Sequence, residues 1–226
     1  MNKNVRVAIL DDHPLILCGL RKMLEAEGFD IVGAESSPAG LRHLLEGAKC
    51  DVVIADYFMS GDELVGGWRF LAAISSDYPA LPVLVYSDSE DPFLLGSLAQ
   101  RGVAGIVSKR EEMGEVINAL NALASRGLYR SPVTLDAIQR FSSQPELRRF
   151  AGLTRRQMEV AGLMLCGLNV RDTARLLRRR VNTISAQRSE ACKRLGFSGE
   201  SEMYRFAFGH DLWLDRSAWE TRSAAH

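Results

Sequence analysis

Short apolar runs alternate with longer amphipathic segments over the first 125 residues of the chain. Runs of this kind are typical of strands that are covered by helices on both faces. They lie at residues 5–10, 31–34, 52–55, 83–86 and 105–107. Between them, apolar residues such as Ile16, Leu20 and Leu24 recur at helical spacing. The alternation predicts an α/β fold with a five-stranded, doubly wound parallel sheet.

The strand pattern stops near residue 126, and a different organisation follows. Residues 131–145 contain two prolines and little apolar period, which is typical of a linker with a short helix near 135–141. After Phe150 the pattern is helical throughout, with breaks at Gly167 and Gly196. We therefore predict a first domain at 1–126, a linker at 127–149, a smaller all-α domain of four helices at 150–214 and a flexible tail at 215–226.

The formal net charge of zero hides two halves of opposite sign. Residues 1–125 carry 10 basic and 18 acidic side chains, whereas residues 126–226 carry 18 basic and 10 acidic ones. The stretch 148–194 is the richest, with 12 basic side chains against three acidic ones. A solvated charged face is one interpretation of this stretch, and a surface that binds phosphate backbones is the other.

The cysteines and the apolar segments indicate where in the cell the protein is located. Four widely spaced cysteines lie among apolar or helical neighbours and form no C-x-x-C pair, which indicates reduced thiols rather than a disulfide framework. The first residues contain no apolar signal region, and no apolar stretch approaches the length of a membrane span. We expect a cytoplasmic protein that is not associated with a membrane.

Acidic side chains follow the first and third predicted strands. Asp11 and Asp12 come directly after the first strand, and Asp56 comes after the third. Because the carboxyl ends of parallel strands share one edge, we expect these carboxylates to converge, with Ser87 and Lys109 beside them. Clustered carboxylates repel one another unless a cation lies among them, and Mg²⁺ prefers oxygen ligands. The set suits phosphoryl transfer to a carboxylate nucleophile.

The motif Asp11-Asp12-His13-Pro14, with Asp56, Ser87 and Lys109, resembles the signature of response-regulator receiver domains, which have a flavodoxin-like fold. The resemblance implies that Asp56 accepts a phosphoryl group from a sensor histidine kinase or a histidine phosphotransfer protein. It further implies a Mg²⁺ site formed by Asp11, Asp12, Asp56 and the backbone carbonyl of Phe58. Lys109 would pair with the phosphoryl group, and Ser87 would be the switch hydroxyl.

The chain departs from this family pattern at two places. Ser60 stands where the family often has proline, and the loop 61–67 that follows is lengthened. Ile106 stands where an aromatic switch residue is common. These departures keep open a regulator that works without phosphorylation, through an auxiliary protein partner.

The segments after residue 150 have the spacing of a helix-turn-helix domain. Thr154 and Gln157 form a predicted capping box at the start of one helix. A later helix turns Ile184, Ala191 and Leu195 inward, which leaves a polar face outward. Small and hydrogen-bonding side chains of this kind suit base edges and phosphates. The candidate DNA-binding residues are Thr183, Ser185, Ala186, Gln187, Arg188, Ser189, Lys193 and Arg194.

The run 153–157, with Gly167, Thr183-Ile184 and Leu195-Gly196, resembles the DNA-binding domain of LuxR-type regulators. Together with the receiver motif it resembles the NarL/FixJ class, and within that class it is most similar to the capsule-synthesis regulators of Rcs phosphorelays. The resemblance implies a transcription regulator that binds double-stranded DNA as a homodimer, with an auxiliary regulator as a possible heterodimer partner. Two interpretations stay open for the three arginines before this helix, Arg178, Arg179 and Arg180. They contact phosphates, or they merely solvate a helix end.

An enzyme is the main alternative of a different class. A phosphatase that forms its own aspartyl-phosphate on a similar sheet normally has a second carboxylate two residues after the nucleophile, and this chain has Phe58 there. We therefore predict no enzyme, apart from a receiver that catalyses its own phosphotransfer and dephosphorylation.

Overall fold

The computed structural model describes residues 5–59, 67–212 and 214, and its first half is built on a parallel sheet. The strands are β1 (Arg6–Leu10), β2 (Asp30–Glu35), β3 (Val52–Asp56), β4 (Val83–Ser87), β5 (Gly105–Ser108) and β6 (Tyr129–Arg130). Their order in the sheet is β2-β1-β3-β4-β5-β6, and every pairing is parallel. The predicted strands are confirmed, and the carboxyl ends of β1, β3, β4 and β5 share one edge, called here the sheet edge.

Five helices cover the two faces of this sheet. They are α1 (Pro14–Ala26), α2 (Pro38–Gly47), α3 (Gly67–Asp77), α4 (Pro92–Arg101) and α5 (Met113–Ala124). Proline at the first helical position starts α1, α2 and α4, and the Asp91 carboxylate caps α4 by accepting from the Leu94 amide at 2.7 Å. Gly102 ends α4 at φ +87°, which a side chain would disfavour. Ser60 and most of the predicted loop 61–67 lie outside the described residues.

The prediction of five strands is corrected to six. β6 lies within the segment predicted as linker and pairs with β5, so that Gly105 is opposite Tyr129 and Ile106 is opposite Arg130. A strand of two residues is too short to show a period of two, and its pairing depends on the exposed edge of β5 rather than on local pattern. The Arg130 guanidinium secures it by donating to the carbonyls of Val103 and Ala104 at 2.6 and 2.9 Å.

Helix α6 (Pro132–Ser143) occupies most of the remaining predicted linker, and the short helix α7 (Arg148–Ala151) follows it. The predicted short helix at 135–141 therefore lies inside a longer one. Helix α6 packs along α4, with Phe141 against Gly96, where a Cβ would lie 2.0 Å from the ring. This part of the chain is structured because it packs on the first half.

Four helices form the second half: α8 (Arg155–Leu165), α9 (Val170–Leu176), α10 (Val181–Leu195) and α11 (Glu200–Gly209). The predicted capping box of Thr154 and Gln157 is present at the start of α8. Helices α9 and α10 pack on α8 around buried residues such as Ala174 and Ile184. The tail at 215–226 lies outside the described residues.

Helix α8 joins the two halves in one hydrophobic cluster. Its apolar stripe of Met158, Ala161 and Leu165 is buried, and so are Val160 and Leu163. A helix that is buried all round must be covered on more than one side. Helices α9 and α10 cover one side, and α3 and α4 of the first half cover the other.

Candidate functional site

Three carboxylates converge at the sheet edge, and two of them bind one ammonium group. Asp11 follows β1 and Asp56 ends β3, and both are buried, at 1% and 5% exposure. The Lys109 Nζ, which reaches in from the residue after β5, lies 2.7 Å from Asp11 Oδ2 and 3.0 Å from Asp56 Oδ2. Asp12 lies beside them, with one oxygen 3.0 Å from His13 Nδ1. The parallel topology thus brings together side chains that are up to 98 residues apart.

Burial and charge act against each other at this site. Burial raises the pKa of Asp56, and the Lys109 ammonium only partly offsets this effect. Burial by itself lowers the pKa of Lys109, but its hydrogen bond to Asp11 and the charge of Asp56 outweigh burial, so the net shift is upward. His13 is more exposed, and its hydrogen bond to Asp11 raises its pKa. The site is therefore short of positive charge.

The donor atoms at the sheet edge fit a hard divalent cation. Ligand atoms of Asp11, Asp12, His13 and Asp56 all lie within 4.8 Å of one another. Three of the four are carboxylate oxygens, which is the donor type that Mg²⁺ prefers. The Phe58 amide lies 3.3 Å from Asp56 Oδ1, so its peptide borders the site, and the role of its carbonyl stays a prediction. The residues present fit Mg²⁺.

Ser87 ends β4 next to these carboxylates and is buried. Its hydroxyl oxygen accepts from the Ser89 amide at 3.2 Å, and its carbonyl accepts from the Lys109 amide at 2.9 Å. The backbones of the two predicted phosphoryl partners are therefore directly linked. Ile106 is fully buried in β5 and is opposite Val85, two residue pairs before the pair of Ser87 and Ser108.

The outward face of α10 carries the second set of predicted residues. Thr183, Ala186, Ser189, Lys193 and Arg194 are exposed, and Ser185, Gln187 and Arg188 are half-buried. The inward residues Ile184, Ala191 and Leu195 are buried, which confirms the predicted orientation of the helix. The Arg188 guanidinium donates to Glu200 of α11 at 3.1 Å, which fixes its direction. Their contacts with DNA stay a prediction.

The three arginines before α10 are exposed. Arg178 has a left-handed φ of +50°, and its guanidinium lies 2.6 Å from Asp77 at the end of α3. An acidic residue of the first half thus already neutralises one arginine that could contact phosphates.

A buried polar cluster between the halves was missed in the sequence. Arg101 at the end of α4 donates to the Trp68 carbonyl at 3.0 Å, and its guanidinium lies 4.9 Å from the Trp68 ring. Its Nη2 lies 3.5 Å from Glu159 Oε1 of α8. An arginine and a glutamate inside two apolar helical stripes were a usable signal, because such charges are rarely buried unless they are paired.

The comparisons with known proteins agree with this geometry. The family described as the response regulator receiver domain matches residues 7–121, just over half of the chain. This chain belongs to that family. The sheet edge with Asp11, Asp12, Asp56 and Lys109 lies within the matched residues. The resemblance expected from Asp11, Asp12, Asp56 and Lys109 is confirmed at the level of the family.

Relatives of the whole chain are regulators as well. The transcriptional regulatory protein RcsB of Escherichia coli K12 is 28% identical over 206 residues, which cover 90% of this chain and 94% of that protein. The response regulator GacA of Pseudomonas viridiflava is also 28% identical, over 95% of this chain and 100% of that protein. The expected likeness to Rcs-type regulators is thus confirmed.

Solved structures give the same answer. RcsB from Salmonella enterica serovar Typhimurium, bound to promoter rprA in the presence of the phosphomimetic BeF3−, matches at TM-score 0.57 and 28% identity, over 90% of this chain and 98% of that one. Another structure of the Salmonella typhimurium RcsB response regulator matches at TM-score 0.60 and 27% identity, over 91% of this chain and all of that one. Both halves of this chain lie within the aligned length.

Within the described part of the chain, the helices are all too short or too polar to span a lipid bilayer.

Proposed function

We propose that this protein is a two-component response regulator whose phosphorylation at Asp56 controls DNA binding by the helical half, and thereby transcription. The observation that carries the proposal is the arrangement at the sheet edge, where Asp56 is buried beside Asp11 and the Lys109 ammonium. The same chain carries the exposed face of α10. RcsB, which is similar over 90% of this chain, has been solved on promoter DNA.

The phosphoryl donor in this proposal is a phosphohistidine of a sensor kinase or a histidine phosphotransfer protein. An Asp56 carboxylate oxygen attacks phosphorus, the new O–P bond forms as the N–P bond breaks, and the departing imidazole takes up a proton. Lys109 already lies 3.0 Å from Asp56 and would turn to the phosphoryl oxygens, and the Ser87 hydroxyl would donate to one of them. Hydrolysis of the aspartyl-phosphate by the same site would reset it.

Asp11, Asp12, Asp56 and the Phe58 carbonyl would hold Mg²⁺ at this site. When bound, the ion supplies positive charge that neutralises the phosphoryl oxygens. Asp12 supports this assignment because its carboxylate adds an oxygen ligand within reach of those of Asp11 and Asp56.

The helical half would read DNA through α10. Ser185, Ala186, Arg188 and Ser189 would lie nearest the bases, and Thr183, Gln187, Lys193 and Arg194 would lie nearer the phosphates. The basic excess after residue 126 favours the phosphate backbone. A homodimer would let two weak contacts act on two half-sites, and an auxiliary regulator could replace one subunit. Because DNA is the proposed ligand, a cytoplasmic location belongs to the same proposal.

The proposal is tested by labelling with acetyl phosphate and Mg²⁺, followed by intact-mass measurement and promoter binding. We expect the wild type to gain about 80 Da and to bind its promoter more tightly, because the modification adds charge at the sheet edge. Asp56→Ala should gain no mass and keep the weaker binding. Equal promoter affinity of Asp56→Ala and the labelled wild type would favour the phosphorylation-independent regulator, which the buried aliphatic Ile106 keeps open.

A further inference from the structure

The loop after β5 makes a tight turn directly behind Lys109. The Lys109 amide donates to the Ser87 carbonyl at 2.9 Å, and the Glu111 amide donates to the Ser108 carbonyl at 3.2 Å. The Arg110 amide donates to the Ser108 hydroxyl at 3.2 Å. Because these bonds link residues 108–111 to one another, we expect a displacement of the Lys109 backbone to displace Glu111 as well.

The Glu111 carboxylate connects this loop to the linker helix. Its Oε2 accepts from the Ser108 amide at 3.2 Å, within the loop. Its Oε1 accepts from the Val133 amide in the first turn of α6 at 3.0 Å, across 22 residues of sequence. A helix normally obtains such a cap from its own N-cap residue. Here the N-cap residue is Ser131, whose hydroxyl lies 3.2 Å from that of Thr134.

The first turn of α6 is therefore bound to two different parts of the receiver. The Ser131 amide and the Thr134 hydroxyl both donate to the Ile106 carbonyl of β5, at 3.1 and 3.2 Å. The Val133 amide is bound to the Lys109 loop through Glu111. Strand β5 is a fixed part of the sheet, whereas the loop carries a residue that responds to phosphorylation. A change at Asp56 would thus alter one attachment and leave the other in place.

Helix α6 has the contacts needed to pass such a change onward. Phe141 near its C-terminal end packs on Gly96 of α4, and the Phe93 and Phe141 ring centroids are 6.3 Å apart. The Phe93 ring is in edge contact with Phe150 of α7, at 5.0 Å. Helix α4 also contacts α8 directly. A displacement of α6 therefore reaches the helical half through packed side chains.

We propose that Glu111 is a positioning residue that couples Lys109 to the linker helix α6. The inference rests on the proposed function. When Lys109 and Ser87 turn to a phosphoryl group on Asp56, the loop shifts, and Glu111 cannot keep both of its hydrogen bonds. The Val133 amide is released and the first turn of α6 loosens on α4. This route needs no aromatic side chain at Ile106.

The test follows single backbone amides by NMR hydrogen exchange in the full chain, with and without acetyl phosphate and Mg²⁺, and records the mass gain in parallel. In the wild type, phosphorylation should speed exchange at Val133 about fivefold or more, because one hydrogen bond is lost. Exchange at Ser131, which is bound to β5, should change much less. The Gly162 resonance in α8 should shift on phosphorylation.

Variants of Glu111 distinguish two roles of its carboxylate: coupling Lys109 to α6, and only capping the first turn of α6. Glu111→Ala should gain the same mass as the wild type, exchange quickly at Val133 in both states and lose the Gly162 response. Glu111→Gln keeps an accepting oxygen and should recover part of the protection and part of the response. The matched control is Glu112→Ala, which removes an exposed neighbouring carboxylate and should behave as the wild type.

The outcomes distinguish this inference from the function on which it rests. A wild type that gains no mass would overturn the proposed function and the coupling with it. A wild type that gains mass with unchanged Val133 exchange would show Glu111 to be an ordinary helix cap and would overturn the coupling alone. The same holds if Glu111→Ala keeps the full Gly162 response. Should that variant not fold, the coupling is overturned if Val133 exchange in Glu111→Gln does not respond to phosphorylation.

Discussion

Two buried charged clusters in this protein are built in opposite ways. At the sheet edge, three carboxylates lie close together, and the Lys109 ammonium bonds to two of them, Asp11 and Asp56. Between the halves, Arg101 is 3% exposed and is bound by Glu159 and by the carbonyl and ring of Trp68. The first cluster has an excess of negative charge, and the second has its charges compensated by protein groups.

The two clusters differ in how completely protein groups compensate the buried charges. Burial lowers the pKa of Arg101 while the Glu159 carboxylate acts to raise it, so the structure itself supplies what the guanidinium needs. At the sheet edge the compensation is incomplete, because the Lys109 ammonium only partly offsets the burial that raises the pKa of Asp56. A compensated cluster stabilises structure, whereas an uncompensated one marks a place where a charged ligand binds.

The largest expected effect is on stability. Replacing a carboxylate by an amide should lower the free energy of unfolding at one cluster, and should leave it unchanged or raise it at the other. Glu159→Gln should lower the free energy of unfolding by about 3 kcal/mol, because it leaves the Arg101 charge buried with weaker compensation. Asp12→Asn makes the same carboxylate-to-amide change at the sheet edge, and without divalent ions it should leave stability unchanged or raised. Urea unfolding of both variants in a chelating buffer measures this. A similar loss of stability in both would remove the distinction between the clusters.

A smaller loss of stability is expected at Gly162, where α8 packs closely on the first half. A Cβ on Gly162 of α8 would lie 2.1 Å from the Trp68 ring, so Gly162→Ala should destabilise the contact by about 1–3 kcal/mol and let the halves separate. Small-angle X-ray scattering should then show a larger radius of gyration. In the control Gly19→Ala, in α1, the added Cβ has open space, and the variant should be stabilised by about 0.5–1 kcal/mol. An unchanged radius in Gly162→Ala would show that the contact does not hold the halves together.

The smallest effect concerns a half-buried ion pair outside both clusters. The Arg6 guanidinium bonds to Asp51 at 2.7 Å and lowers the pKa of Asp51 from 3.8 to about 2. A lowered pKa means that the pair stabilises the fold above about pH 4 and that this contribution is lost as the pH falls towards 2. Asp51→Asn should therefore unfold more easily at pH 7, with little difference from the wild type near pH 2. Thermal melts at both values measure it, and an equal deficit at both would contradict the assignment.

The site at the sheet edge was predictable because neighbouring residues in the sequence are enough to locate each of its carboxylates. Each carboxylate directly follows an apolar run, and the topology of a parallel sheet places all such positions on one edge. The orientation of α10 was predictable for the same reason, since Ile184, Ala191 and Leu195 follow the helical period. The family resemblance added the roles of Ser87 and Lys109, which belong to the proposed function.

The sequence by itself therefore determined the strands, the amphipathic helices and the meeting of Asp11, Asp56 and Lys109. The tertiary structure alone decided that β6 joins the sheet and that α8 is buried on both sides. It also decided that Glu111 reaches Val133 and that Arg101 reaches Glu159 across 58 residues. The physical reason is that periodicity reports only which face of an element is apolar. Which distant element covers that face, and which backbone amide a carboxylate finds there, depends on how the finished helices pack.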